Sequence, residues 1–272
     1  MNREHTVRTS TLAALAAVLL LTGCGGSPAD DGGSPAAAGA GSGPAPRDSA
    51  SPTDLEPREP RAERGDDQSR QRRGIRREIP GIGPRTHDRI DPRTRQVFVV
   101  TGRSTGSNRA TAVLYERDRR IGWQPVSGPW RARNALKGWT GDHRLNDLRT
   151  PIGVYGLTDA GGRLPDPGTE LPYDQGPAFT PSGVNFEGES LTGAFDHVVA
   201  VNYNREPGST PLDWTRPLGV GKGGGIWIHV DHGGATKGCV TLARPQVAEL
   251  LKRLDPEARP VVVMGPERHL AR

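Results

Sequence analysis

Residues 226–242, IWIHVDHGGATKGCVTL, constrain the fold more than any other stretch of this chain. Ile226-Trp227-Ile228-His229-Val230 is an unbroken run of β-branched and aromatic residues, which reads as a buried strand ending on a histidine. Residues 231–236 form a loop, and Gly238-Cys239-Val240-Thr241-Leu242 returns to apolar β-type sequence. The two runs place an imidazole and a thiol across one short loop, the pairing that converts a thiol into a nucleophile. A hairpin with a buried cysteine and an exposed histidine fits the same residues. Because side chains alternate along a strand, Ile226, Ile228 and Val230 share one face, assigned to the core. Trp227 and His229 share the other, which opens toward Cys239. His232 follows in a glycine-rich loop and reads as a solvated residue.

The start of the chain bears on that thiol. Arg3 and Arg8 precede an apolar run, residues 12–21, that is too short to span a bilayer. It ends in Leu21-Thr22-Gly23-Cys24, which resembles the lipobox of bacterial lipoproteins, with Cys24 as the acylated residue. An ordinary signal peptide that contains a cysteine is the alternative, and both imply export. Cys24 and Cys239 are the two cysteines of the chain. With Cys24 lipidated, Cys239 is an unpaired thiol in an oxidising compartment, a liability unless its reactivity is used. A Cys24–Cys239 disulfide is the competing arrangement.

These features divide the chain into a signal peptide with lipobox at 1–23, a linker at 24–93 and a catalytic domain at 94–266. The linker is rich in Gly, Ala, Ser and Pro, then in mixed charge, and reads as a disordered tether. A net charge of +5 fits an anionic envelope. No zinc-type Cys/His pairs, phosphate-binding glycine motif or aromatic-interleaved basic patch is present, so metal, cofactor and nucleic acid are not expected.

Short β-type runs punctuated by Gly, Pro, Asn and Asp fill the domain, at 96–101, 111–117, 121–126, 152–157, 195–204 and 260–265. They point to a mainly β sandwich or barrel. One helix is expected from Pro245, with Val247, Leu250, Leu251 and Leu254 making a single apolar stripe. Residues 158–193 and 205–225 read as long irregular stretches, the second a mobile flap or a loose surface excursion.

Three segments, in order, resemble the L,D-transpeptidases, the YkuD-type family of peptidoglycan enzymes. They are Thr150-Pro151-Ile152-Gly153-Val154-Tyr155, Ile228-His229, and Thr236-Lys237-Gly238-Cys239-Val240. The resemblance implies a YkuD-like β-sandwich with one short C-terminal helix. It also implies that Cys239 attacks a tetrapeptide stem, releases D-alanine and passes the acyl group to an acceptor amine as a 3→3 cross-link. His229 would serve the thiol, whose pKa has to be lowered, and the N–H groups of Gly238 and Cys239 would form the oxyanion hole. Lys237, Thr236, His197, Tyr155, Trp214 and Arg244 are candidate substrate contacts, with Trp227 as a further wall. Val230 and Thr241 depart from the family, whose better-known members have Gly or Ser and Arg there. Water as acceptor would make the site a carboxypeptidase. A degenerate wall-binding lipoprotein is the non-enzymatic rival, while a sortase-like site is disfavoured by the glycine before Cys239.

Overall fold

A computed structural model of the chain describes residues 78–272 except Ser182. The signal peptide, Cys24 and most of the expected linker lie outside the described residues. The described chain is mostly β, organised as one ten-stranded sheet that curls, with few helices.

The central strand is β1, Gln96–Gly102, whose apolar run is buried on both faces. Phe98 and Val100 enter the main core and Val97 and Val99 a second cluster on the opposite face, so this strand has no solvent side to alternate against. It pairs antiparallel with β2 (Arg109–Asp118) and parallel with β12 (Val261–Pro266). A turn joins β2 to β3 (Gly122–Arg133), and there the Asp118 carboxylate accepts from the N–H groups of Arg120 (2.7 Å) and Ile121 (2.9 Å). Strand β3 runs well past residue 126: Pro125 still pairs with Tyr115, and the register shifts between Ala112 and Tyr115 of β2 take up Val126 and the Gly128–Pro129 step as bulges.

Beyond β3 the order continues through β11 (Val240–Leu242), β10 (Trp227–Val230) and β9 (Val198–Ala200) to β7 (Ala160–Gly162) and β8 (Tyr173–Gln175). On the other side β6 (Gly153–Gly156) flanks β12. A separate pair joins β4 (Trp139–Thr140) to β5 (Thr150–Pro151). The curl brings the inner faces of these strands together around one core, into which helix α2 (Arg244–Arg253) sets Val247, Leu250 and Leu251, with Leu254 just past its end. All four are at most 1% exposed, as a single apolar stripe requires.

Three expectations change. The run at 195–204 is strand only at 198–200, because the Asn204 side chain donates to Gly219 O and Gly223 O and turns the chain away from the sheet. The 158–193 stretch contains β7 and β8 and is not wholly irregular. The fold also takes in residues that the sequence reading gave to the tether, among them the short helix α1 (Pro84–His87). Ile79 and Ile90 are buried in the second cluster with Val97, Val99 and Leu270, and Gly83 N donates to Leu270 O at 2.8 Å.

Candidate active site

Strands β10 and β11 are parallel neighbours, not a hairpin, with Ile228 opposite Val240 and His229 opposite Thr241. Paired positions share a face, so the two strands carry one alternation. Ile228, Val230, Val240 and Leu242 all lie in the main core. Trp227, His229 and Thr241 take the opposite face, and Cys239, one step before Val240, falls beside Trp227. The Trp227 N–H donates to Cys239 Sγ at 3.4 Å, and the thiol is 3.6 Å from Gly225 O.

The segment before the thiol is held from several sides. Thr236 is buried and its hydroxyl donates to Cys239 O at 2.7 Å. A Cβ on Gly238 would come within 2.9 Å of Ile226 Cδ1, so only glycine fits there without displacement. Among the described residues neither the Gly238 nor the Cys239 N–H has a hydrogen-bond partner. Lys237 is exposed.

His229 is 4% exposed, and its Nδ1 donates to Val230 O at 3.0 Å. That bond commits the Nδ1 proton and leaves Nε2 with its lone pair. Phe195 stands edge-on to the imidazole at 5.2 Å and to Trp227 at 4.9 Å. Burial pushes the imidazole down to about 4, against the pull of the Val230 carbonyl. It pushes the Cys239 thiol up to about 11, with only the Trp227 N–H acting the other way. The lowered thiol pKa expected from the sequence is therefore absent in the free protein. Both groups rest neutral, because removal from water penalises an ion of either sign.

His232 is not the solvated loop residue it seemed. Its side chain is 3% exposed, stacks on His229 at 5.9 Å with ring planes 17° apart, and has Nδ1 4.0 Å from Glu189 Oε1. Glu189 occupies the space that a Cβ on Gly234 would need, which explains glycine at that position. Glu189 had no signal of its own in the sequence, apart from the double glycine that makes room for it, whereas Phe195 opened an expected strand and His232 was read as a solvated neighbour of His229.

His197 is buried and bonds through Nδ1 to Tyr173 Oη at 3.0 Å, a structural engagement. Tyr155 donates to Ile152 O at 2.9 Å and packs edge-on to Tyr203. Arg244 is ion-paired with Asp196 at the start of α2. Trp214 is 79% exposed on the 205–225 excursion, with the Arg216 guanidinium 4.7 Å over its ring. That excursion is tied down at its base, where buried Arg205 bonds Asp159 at 2.7 Å. A further histidine, which has no motif signal in the sequence, approaches the segment before the thiol. His143 is buried with Nδ1 3.0 Å from Asp147, and its Cε1 would sit 3.7 Å from a Cβ on Gly238.

Compared with known proteins, residues 94–263 match the family model for the L,D-transpeptidase catalytic domain. No curated protein and no solved structure matches the chain.

Proposed function

The chain belongs to the L,D-transpeptidase catalytic domain family, and from that membership we propose that Cys239 is the nucleophile of a peptidoglycan L,D-transpeptidase with His229 as its base. The family acts on peptidoglycan stem peptides. The observation that carries the reading here is the shared face of Trp227, His229 and Cys239 on two adjacent parallel strands, opposite the face that fills the core.

In this mechanism the resting thiol is neutral, so the nucleophile forms as it attacks. His229 Nε2 takes the Sγ proton while sulfur bonds to the carbonyl carbon that precedes the terminal D-alanine of a tetrapeptide stem. The carbonyl oxygen, now an oxyanion, is received by the unpartnered N–H groups of Gly238 and Cys239, a contribution of about 3 kcal/mol where such donors have been removed elsewhere. The imidazolium then protonates the departing D-alanine amine, leaving a thioester on Cys239. The side-chain amine of a second stem attacks that thioester with His229 again as base. The product is a 3→3 cross-link and the thiol is restored.

The buried imidazole and the half-buried thiol both disfavour their charged forms, which supports the neutral route over a preformed thiolate–imidazolium pair. Mass spectrometry of a disaccharide-tetrapeptide incubated with the purified protein tests the reading. A cross-linked dimer with release of D-alanine supports it, free D-alanine alone makes the enzyme a carboxypeptidase, and an unchanged substrate favours a non-catalytic wall binder. We further infer that Cys24 is acylated and anchors the chain to the membrane facing the wall, on the strength of Leu21-Thr22-Gly23-Cys24. A fatty-acid analogue should label the wild type and miss Cys24→Ala; equal labelling rejects the anchor.

A further inference from the structure

A cleft of about 970 Å³ lies on the same sheet, lined by Arg103, Arg109, Arg131 and Arg133 together with Thr111 and Asp231 among others. Its relation to the thiol follows from strand register. His229 is opposite Thr241, Thr241 is opposite Arg133, and Arg133 is opposite Arg109. Arg103 follows directly on Gly102, which pairs with Ala110, so it ends the same row. A second row sets Thr101 against Thr111 and Thr111 against Arg131. Paired residues share a face, so the arginines stand on the face that carries His229 and Cys239, while Ala112, Trp130 and Ala132 between them turn into the core.

The charge in this cleft is unbalanced. Asp231 is the one carboxylate in its lining, and it is taken by Arg133, with Nε 3.3 Å from Oδ2. Among the described residues Arg103, Arg109 and Arg131 have no carboxylate partner. Arg109 and Arg133 are moreover directly cross-strand, an arrangement of like charges that destabilises a bare sheet. Planar guanidinium groups gathered this way match carboxylates, which accept two hydrogen bonds from each.

We propose that this arginine-lined cleft is an anion subsite of the catalytic face that holds the carboxylates of the peptide stem. The inference rests on the function proposed above and specifies how that substrate is gripped. Neighbouring strands are about 5 Å apart, which sets Arg133 about 10 Å and Arg109 about 15 Å from His229 along the sheet. An extended tetrapeptide spans about 13 Å. The three residues on the acyl side of a scissile bond at Cys239 span about 10 Å, so the acidic groups of the stem come up to Arg133, and the long arginine side chains close the remaining distance. The subsite takes the place of the family's arginine after the nucleophile, where this chain has Thr241.

Calorimetric titration of the full chain carrying Cys239→Ala, which binds without turnover, tests the subsite. The probes are a synthetic tetrapeptide stem with free carboxylates, the same peptide with its carboxylates amidated, and poly(glycerol phosphate). The free-carboxylate stem is expected to bind at least about tenfold more tightly than the amidated one at low salt, with the gap closing as salt is raised. Adding Arg109→Gln and Arg131→Gln should abolish that gap. Equal affinity for the two stems, or a gap that survives the double substitution, overturns the proposal. So does arginine-dependent binding of the phosphate polymer without binding of the stem, and so does no binding of any probe. The amidation arm needs no arginine variant, so it decides the matter even if the substituted chain fails to fold. Failure of the function is seen separately. A wild-type protein that binds the stem through the arginines but is never acylated loses the transpeptidase reading and keeps the subsite.

Discussion

Burial pushes the Cys239 thiol up to about 11 and the His229 imidazole down to about 4, so near neutral pH both are uncharged. A base is useful only when deprotonated. His229 is free to accept a proton above about pH 4 and is blocked below it. Acylation by a stem peptide should therefore rise through pH 4 and then stay level until the thiol itself ionises. A rising limb near 6.5 would instead point to an imidazole with ordinary solvation. His232 lies stacked on His229, and its charge adds to the burial that holds the His229 value down. Replacing it by alanine opens the site to water, so His232→Ala should keep activity at neutral pH and move the limb upward from 4. His229→Ala should lose about 10²- to 10⁴-fold in acylation rate at every pH. The faces of Trp227 and His229 were legible in the sequence because strand alternation assigns them, while Cys239 stood out through the segment it shares with the family. Glu189 and the burial of His232 were not, since both depend on a distant loop folding back over Gly234.

The strands and α2 were readable wherever an apolar run met a turn residue with its own chemistry, as at Asp118. Connectivity was less so. Residues 226–242 looked as much like a hairpin as anything else, and nothing local says that β10 and β11 run parallel. Their connection is carried past the end of β3, where Ala135 and Thr236 form an isolated parallel bridge. That crossing explains why Thr236 is indispensable to the local structure. Its hydroxyl holds the Cys239 carbonyl at 2.7 Å, and its backbone N–H donates to Asn134 O at 3.1 Å. Thr236→Val keeps the shape but leaves a carbonyl without its partner, at a cost of about 1–3 kcal/mol. Chemical denaturation should show that loss, and the Gly238–Cys239 donors should be less well fixed, lowering the acylation rate further. A variant as stable and as fast as the wild type would remove Thr236 from the account.

For the molecule as a whole, the boundary of the fold lies upstream of residue 94. Ile79 and Ile90 are too isolated among Arg, Pro and Gly to show any periodicity, so they read as tether. They become structural only because the outer face of β1, β2 and β12 is apolar and needs a cover, which they supply with Leu270 of the C-terminal helix α3 (Glu267–Leu270). Each buried isoleucine contributes about 1.5–3 kcal/mol. A chain starting at Glu78 should melt at the same temperature as the full chain, whereas one starting at Thr94 should lose a large share of a typical total of about 5–15 kcal/mol. Equal melting of the two shorter chains would show that the N-terminal cover is dispensable. The central claim remains that Cys239 carries the acyl group, and intact-protein mass spectrometry after brief incubation with a tetrapeptide stem tests it most directly. The wild type should gain the mass of the stem less D-alanine, while Cys239→Ala, folded by its melting curve, should gain nothing. An adduct on Cys239→Ala, or none on a folded wild type, would contradict the account.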